Sequence, residues 1–229
     1  WDYLDASGKL IAVVYRYDPP GGKKQFRPWD AKRHKMAPPD PRPLYNQPGM
    51  TSSAQVVLVE GEKCAQALID FGVTATTAMH GANAPVDKTD WSPLSGKAVL
   101  IWPDRDKPGW EYAAQAAQVV LTAGAKSCHI LYPPEDAPEG WDAADAIAEG
   151  FDVATFLSHG PRLQMHDLAD TDEPVAGSDE SVWGTEDALA LAFTRRYHRD
   201  WRYVAGWGRW LVWAGKRWRT EHTLATPDL

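Results

Sequence analysis

The most informative stretch of the chain is Ile101-Trp102-Pro103-Asp104-Arg105-Asp106-Lys107-Pro108-Gly109. The apolar run Ala98–Trp102 predicts a buried strand, and residues 110–122 have the apolar spacing of a helix. The two aspartates therefore lie in a strand-to-helix loop, where open α/β sheets hold ligands. Asp104 and Asp106 can aim both carboxylates at one spot, which is costly unless a cation neutralises them. The stretch predicts a divalent-metal site.

The segments around this loop alternate between strand and helix patterns. Residues 56–59 form a continuous apolar run typical of a strand buried on both faces, and residues 65–71 follow with helical spacing. Further strands are predicted over 73–79 and 127–132, and short helices over 141–147 and 152–157. This alternation predicts an α/β fold whose mainly parallel sheet is flanked by helices.

Composition sets the class of protein. The 229 residues suffice for one large or two modest domains, and no apolar run approaches the roughly 18 residues that span a bilayer. Without a signal peptide, the expected compartment is the cytoplasm, with no membrane partner. The chain opens on Trp1, so we expect it to be a piece of a longer protein. Cys64 and Cys128 are too few for a zinc ribbon and are interpreted as buried thiols.

Charge divides the chain into regions. Residues 1–50 carry nine basic and five acidic side chains, and residues 181–229 carry eight basic and five acidic ones. Residues 51–180 carry seven basic and 21 acidic side chains, so the middle of the chain is acidic. Six of the twelve tryptophans lie in the last of these regions, where a helix is predicted over 185–199 and a hairpin over 207–218. Four regions are predicted. Residues 1–51 form a small basic β-rich subdomain and residues 52–160 a catalytic domain. Residues 161–181 form an acidic linker, and residues 182–229 begin a Trp-rich domain.

In the basic N-terminal region, residues 10–17 are predicted to form the second strand of a hairpin. The residues that follow interleave cations with aromatic side chains, as a binder of single-stranded nucleic acid does. A solvated loop is the alternative interpretation. The candidate DNA-binding residues are Lys23, Lys24, Arg27, Trp29, Lys32, Arg33 and Lys35.

Three further carboxylates follow predicted strands. Glu60 ends one strand, and Asp142 and Asp145 begin a helix beyond another. The carboxyl ends of parallel strands share one edge of a sheet, so these acids could converge with Asp104 and Asp106. Oxygen ligands suit Mg²⁺ or Mn²⁺, whose commonest chemistry is phosphoryl transfer. Alone, each acid would more often be a helix N-terminal carboxylate, above all Asp145.

Basic residues beside the acids could meet triphosphate or template phosphates, with surface ion pairs as the alternative. They are Lys63, Arg105 and Lys107. Neither a G-x-x-x-x-G-K-[ST] phosphate loop nor a G-x-S-x-G elbow is present, which removes the main support for an ATPase or a serine hydrolase.

The motifs resemble a known domain. Val59-Glu60-Gly61 after one strand, and Asp104-x-Asp106 with Gly109 after a later one, are similar to the TOPRIM domain of bacterial-type primases, type IA and II topoisomerases and overcoming-lysogenization-defect-type nucleases. Within that superfamily, residues 59–65, 81–84, 89–94 and 101–106 resemble primases of phages and mobile elements, which are often fused to a helicase. The resemblance covers residues 54–150.

This resemblance implies a TOPRIM-type primase core that makes short RNA primers on single-stranded DNA from NTPs with Mg²⁺ or Mn²⁺. Glu60 would be the family's glutamate, Asp104 and Asp106 its metal pair, and Asp142 its further acid, with Asp145 in an unusual spacing. Gly61, Lys63, Gly81, Asn83, Arg105 and Lys107 would bind nucleotide or phosphate.

The ends of the chain extend the resemblance. Residues 1–50 occupy the place of the subdomain that guides the template, and the Trp-rich end looks like the region before the helicase in phage primase-helicases, which makes a replicative helicase the expected partner. The cysteines of the usual zinc-binding domain are absent, so either the segment begins after that domain or template sites are selected otherwise. Two alternatives stay open: a TOPRIM nuclease or topoisomerase, and a degenerate TOPRIM module that only binds single strands or loads a helicase.

Overall fold

The computed structural model describes residues 1–81 and 85–165, and the backbone of three later strands at 201–204, 209–213 and 218–220. The chain divides into two compact units, Trp1–Asp172 and Glu173–Leu229. In the described part of the first unit the strands are β1 (Asp2–Leu4), β2 (Leu10–Tyr17), β3 (Gln25–Asp30), β4 (Gln55–Val59), β5 (Ala75–Thr76), β6 (Ala98–Trp102), β7 (Ser127–Leu131) and β8 (Arg162–Met165). The helices are α1 (Gln47–Met50), α2 (Gly61–Asp70), α3 (Lys107–Thr122), α4 (Ala143–Ala148) and α5 (Val153–His159).

A five-stranded sheet in the order β5-β4-β6-β7-β8 forms the centre of this unit. The first four strands are parallel, and β8 pairs antiparallel with β7 at the edge. Successive side chains of a strand point to opposite faces, so the apolar runs of β4 and β6 bury both faces of the sheet. The predicted mainly parallel α/β sheet is confirmed.

Each face of the sheet has its own hydrophobic cluster. Val57, Val59 and Trp102 pack with α2, α4 and α5 on one face. Val56 and Ile101 pack with the buried side of α3 on the other. The two cysteines are free and buried, as predicted.

The N-terminal strands form a separate three-stranded antiparallel sheet in the order β1-β2-β3. Its inner face joins the α2 side of the core, because Tyr3, Ala12 and Val14 are buried in the same cluster as Val57. The Tyr3 ring also meets the Tyr45 ring edge-on, with centroids 5.3 Å apart. The basic N-terminal region is thus packed directly against the central sheet.

Most predicted elements are present with small shifts at their ends. The strands predicted over 10–17 and 98–102 are β2 and β6. The strand predicted over 73–79 pairs only at Ala75 and Thr76, and α3 begins at Lys107, three residues before its predicted start. This earlier start matters, because it makes Asp106 the N-cap of α3.

Only backbone is described in the second unit. Trp201–Val204 (β9), Arg209–Trp213 (β10) and Trp218–Thr220 (β11) form an antiparallel sheet with β10 in the middle. The pairing of Trp213 with Trp218 confirms the hairpin predicted over 207–218. The predicted acidic linker and the helix predicted over 185–199 lie outside the described residues. No helix in the part of the chain that the structure describes is long and apolar enough to cross a membrane.

Candidate active site

The predicted carboxylates meet at the carboxyl edge of the central sheet. Glu60 directly follows β4, and Asp104 and Asp106 follow β6. Val59 pairs with Trp102, so both strands end at the same level. Asp142 reaches this edge because the backbone N–H of Arg105 donates to the carbonyl of Trp141 over 2.9 Å.

Glu60 is the most unusual of these acids. It occupies the N-cap position of α2 but makes no capping hydrogen bond with its side chain. Its Oε1 is buried and has no hydrogen-bond partner. Buried polar atoms are nearly always satisfied, so an orphaned carboxylate oxygen indicates that a cation, water or ligand belongs beside it.

Gly109 leaves the space that Glu60 occupies. A Cβ at Gly109 would lie 2.5 Å from the Asp104 carbonyl oxygen and 2.9 Å from Glu60 Oε1. Any side chain at this position of α3 would therefore push the Asp104 loop and Glu60 apart. The glycine allows helix, loop and carboxylate to approach one another closely.

The electrostatics show that the acids share one environment. Burial and the neighbouring charge of Asp106 raise the pKa of Glu60 to about 7, against the opposing effect of the Asp104 backbone N–H. Burial, and then the charges of Glu60, Asp142, Asp106 and Asp145, raise the pKa of Asp104 to about 8. Since all four other carboxylates act on Asp104, the five side chains form one acidic cluster that a cation would stabilise.

Three of the acids also serve as helix caps. Asp106 accepts a hydrogen bond from the Gly109 N–H over 2.7 Å. The Asp142 side chain accepts a hydrogen bond from the Asp145 backbone N–H over 2.8 Å. The Asp145 side chain accepts a longer one from the Asp142 backbone N–H over 3.4 Å, and the two bonds form a capping box. Glu60 and Asp104 have no such role, so local helix chemistry does not account for them.

Lys63 already neutralises part of the cluster. Its Nζ lies 3.3 Å from Asp142 Oδ2 and 3.5 Å from Asp145 Oδ1, although 60% of its side chain is exposed. Partial burial opposes the effect, but the two carboxylates raise the pKa of Lys63. Lys63 thus joins the start of α2 to the start of α4.

The donor set fits a hard divalent cation. Its members are carboxylates, the cluster includes an orphaned oxygen, and its repulsion is relieved by positive charge. Among the described residues, no three His, Cys, Asp or Glu side chains already converge on one ion position. The oxygens of Glu60, Asp104 and Asp106 would therefore have to draw together around a bound ion.

The other predicted phosphate ligands have varied surroundings. The Arg105 guanidinium donates to the carbonyls of Pro134 and Glu135, at 3.0 and 2.5 Å, instead of facing the acids. Lys107 is 87% exposed and lies 3.7 Å from Glu111. Asn83 lies outside the described residues.

Gly61 and Gly81, the two glycines predicted to bind nucleotide or phosphate, are adjacent in space. A Cβ at Gly81 would lie 3.3 Å from the backbone nitrogen of Gly61, and both glycines have positive φ, at 56° and 75°. The Gly61 N–H donates to Thr77 Oγ1 over 2.9 Å. The loop after β5 thus covers the turn that carries Glu60.

The predicted DNA-binding residues lie on β3 and the turn after it. Arg27 and Trp29 share the outer face of the sheet with Tyr15 and Tyr17, because Tyr15 pairs with Arg27 and Val13 with Trp29. Tyr15 and Tyr17 are 51% and 49% exposed. Lys23, Lys24, Lys32, Arg33 and Lys35 are all exposed. Lys24 lies over the Phe26 ring, on the other face of the sheet, with its Nζ 6.0 Å from the ring centroid. We call Tyr15, Tyr17, Arg27 and Trp29 the outer aromatic face.

Sequence reasoning missed four residues. Tyr15 and Tyr17 carry no binding signal of their own in the sequence, although alternation along β2 places them on the face of Arg27. Glu62 and His80 line a cavity between β2, β3 and the Glu60–Gly61 turn. No spacing in the sequence signals this cavity, because packing of the two sheets creates it.

The fold is that of primase catalytic cores. It is similar to the zinc-binding and RNA polymerase domains of the Aquifex aeolicus primase (TM-score 0.54, 18% identity, 71% of this chain and 40% of that one). It is also similar to a DNA primase domain from Pseudomonas aeruginosa (TM-score 0.54, 18% identity, 72% and 51%) and to the E. coli primase catalytic core (TM-score 0.53, 16% identity, 85% and 60%). The chain thus spans only part of each relative.

The C-terminal region has a separate likeness. Residues 190–228 match a family described as D5 N terminal like. No curated protein matches the chain. The comparisons therefore show the fold of a primase catalytic core and a short family match near the end of the chain.

Proposed function

We propose that this chain carries the catalytic core of a DNA primase, which synthesises short RNA primers on single-stranded DNA by metal-dependent nucleotidyl transfer. The observation that carries the proposal is Glu60, whose buried, unpartnered oxygen lies against the Asp104 loop in a fold shared with primase cores. Phosphoryl transfer needs positive charge at this edge of the sheet, and the acidic cluster is built to attract it.

The residues have distinct roles in this proposal. Glu60, Asp104 and Asp106 would hold Mg²⁺ or Mn²⁺, and Asp142 and Asp145 would add negative charge from α4 while Lys63 limits their repulsion. The bound ions would supply alignment and neutralisation of the substrate phosphates. Gly61 and Gly81 would let an NTP approach the Glu60 turn closely, and Asn83, Arg105 and Lys107 stay proposed phosphate ligands.

The outer aromatic face would bind the template. Exposed Tyr15 and Tyr17 can stack on bases, and Arg27 lies over the Tyr17 ring with its Cζ 5.2 Å from the ring centroid. The surrounding lysines and arginines would contact phosphates, so binding should weaken steeply with salt.

The C-terminal unit would connect the primase to a replicative helicase, fused or in trans. The D5 N-terminal-like match at residues 190–228 supports this, because it falls in the Trp-rich segment with the composition of a helicase-associated region. The division at residues 51, 160 and 181 is part of the same proposal. Such an enzyme would work in the cytoplasm of a bacterial host, during replication of a phage, prophage or plasmid.

A priming assay tests the proposal directly. The chain is incubated with random single-stranded DNA, labelled NTPs and either Mg²⁺ or Mn²⁺, and short RNA products are resolved. Asp104→Ala should reduce synthesis by about 100-fold or more, since it removes charge stabilisation at the reacting phosphate. Asp136→Ala, which removes an exposed loop carboxylate, is the matched control and should leave synthesis unchanged.

Other outcomes would redirect the assignment. Ample synthesis by Asp104→Ala would contradict the proposed site. Metal-dependent nicking of plasmid DNA without primer synthesis would indicate a nuclease or topoisomerase. Single-strand binding without either activity would indicate a module that only binds DNA or loads a helicase.

A further inference from the structure

The cavity lined by Glu62 and His80 lies beside the Glu60 turn, on the opposite side of the N-terminal sheet from the outer aromatic face. It has a volume of about 340 Å³ and is lined by Val14, Phe26, Gly61, Glu62, His80 and Gly81. This volume falls in the range of small-ligand sites and would hold a nucleobase with its ribose. Since Gly61 follows Glu60 directly, a base in this cavity would place its sugar and phosphates beside the acidic cluster.

The walls suit a flat aromatic ring. Phe26 is 40% exposed, while Val14 is 3% exposed and closes the inner end. Gly61 and Gly81 present backbone without side chains, which allows a planar group to approach closely. The Trp1 ring lies 6.1 Å from the Phe26 ring, centroid to centroid, and Lys24 Nζ lies 6.0 Å from the Phe26 centroid. A base can therefore stack only on the part of Phe26 that stays exposed, next to the two glycines.

Glu62 supplies a hydrogen-bond acceptor inside the cavity. It is 6% exposed, yet its side chain receives a hydrogen bond only from the Tyr3 hydroxyl, over 2.8 Å, among the residues that the structure describes. No ion pair in this described set includes Glu62. A carboxylate can accept about four hydrogen bonds, so Glu62 keeps acceptor capacity that a ligand with N–H groups would satisfy.

His80 supplies a donor at the rim. Its Nδ1 lies 2.9 Å from the Arg42 guanidinium nitrogen, and a guanidinium only donates, so Nδ1 must accept. The ring is then the neutral tautomer with Nε2–H as donor. Burial, and then the Arg42 charge, lower the pKa of His80 against the opposing effects of the Glu62 charge and of a hydrogen bond with the Met79 backbone, which agrees with a neutral ring.

We propose that this cavity recognises the guanine base of a substrate nucleotide, with Glu62 accepting from the base N1–H and N2–H₂ and His80 donating to O6. The inference deepens the proposed function, on which it rests, by assigning a base-specific subsite. Guanine is the base that offers a carboxylate two neighbouring N–H donors with a carbonyl acceptor next to them. Uracil offers one such donor, and adenine and cytosine offer only an amino group at this edge.

Binding of mononucleotides tests the inference without any need for catalysis. The full chain is titrated with GMP, AMP, CMP or UMP by calorimetry. EDTA is present so that no divalent cation bound at the acidic cluster contributes to nucleotide binding. GMP should bind at least about tenfold more tightly than UMP, as expected for one bidentate contact. Glu62→Gln should abolish this preference, because the amide replaces one acceptor oxygen with a donor.

Tyr3→Phe is the matched control for Glu62→Gln. It removes the Tyr3 hydrogen bond from Glu62 but leaves the carboxylate in place, so the preference for GMP should persist. Thermal unfolding of both variants shows whether the fold is intact. Equal binding of GMP and UMP by the wild type, or a preference retained by folded Glu62→Gln, would overturn the inference.

Two further arms separate the possible sources of the base and the two proposals. A GMP preference with equal binding of a dT oligonucleotide and a dT oligonucleotide that contains one dG would support a substrate nucleotide as the source of the base. Tighter binding of the dG-containing oligonucleotide, reversed by GMP, would assign the cavity to a template base and overturn the substrate assignment. Asp104-dependent priming without a GMP preference would overturn this inference alone. A GMP preference without priming would support this inference and contradict the proposed function.

Discussion

Replacing Glu60 with glutamine should stabilise the metal-free protein at alkaline pH. The pKa of this carboxyl rises from an ordinary 4.5 to about 7 in the folded chain. One pKa unit corresponds to about 1.4 kcal/mol, which sets an upper bound of about 3 kcal/mol on the free energy lost on ionising Glu60 at pH 8.5. Water reaches part of the side chain, so screening reduces the expected effect to about 1–2 kcal/mol.

The sign of the pH dependence follows from linkage. The folded state binds the Glu60 proton more tightly than the unfolded state, so the free energy of unfolding falls as pH rises from about 4.5 to about 7. Glutamine has no proton to lose and escapes this fall. The variant should therefore match the wild type at pH 4.5 and exceed it at pH 8.5, and Asp104, with its pKa near 8, should show the same trend.

Thermal unfolding in EDTA measures this difference. For a chain of this size, 1–2 kcal/mol corresponds to a rise in Tm of about 2–8 °C at pH 8.5. Mn²⁺ should then raise the Tm of the wild type and leave Glu60→Gln nearly unchanged. Glu139→Gln, which alters an exposed carboxylate, is the control and should show neither effect. A variant less stable than the wild type in EDTA at pH 8.5 would refute the reasoning.

Three further predictions concern the surroundings of the acids and the template face. Gly109→Ala should destabilise the fold by about 1–3 kcal/mol and weaken Mn²⁺ binding, because its Cβ would displace Glu60; denaturant unfolding and Mn²⁺ titration measure both. Arg105→Ala should weaken Mn²⁺ binding by about tenfold and speed amide exchange over residues 133–141, since it removes two hydrogen bonds to that loop. Joint replacement of Tyr15 and Tyr17 by alanine should weaken binding of oligo-dT by about tenfold or more, measured by anisotropy.

Matched variants make these outcomes decisive. Arg162 also donates to two backbone carbonyls, those of Gly160 and Leu157, but lies away from the acidic cluster, so Arg162→Ala should leave Mn²⁺ binding unchanged. Phe71 is 49% exposed at the end of α2, away from the outer aromatic face, so Phe71→Ala should not affect oligo-dT binding. Unchanged Mn²⁺ affinity in Arg105→Ala or Gly109→Ala would contradict the close packing inferred around Glu60.

Local pattern was enough to predict the parallel strands and the placement of the acids. The apolar runs that became β4 and β6 are continuous because both faces of the sheet are buried, and strand ends carry Glu60 and the Asp104 loop to one edge. The residue at which α3 begins was harder to predict. Lys107 and Pro108 are not apolar, so periodicity started the helix at Trp110, whereas the Asp106 cap starts it at Lys107.

Functional detail was less predictable because it depends on contacts between distant residues. Lys63 lies beside Glu60 in the sequence, but its hydrogen bonds go to Asp142 and Asp145. Arg105 stands between two predicted metal ligands, but its guanidinium binds loop carbonyls. No local pattern encodes such partners, since they depend on how α4 and the loop before it pack on the sheet.

Sequence by itself determined the chemistry available to this protein: oxygen ligands at strand ends, glycines beside them and a basic aromatic arm. Only the tertiary structure decided which carboxylate oxygen is buried without a partner. It also decided that Tyr3 reaches Glu62 from 59 residues away and that a cavity opens between the two sheets. The physical reason is that side-chain type is a local property, whereas burial, pKa and hydrogen-bond partners are properties of the packed chain.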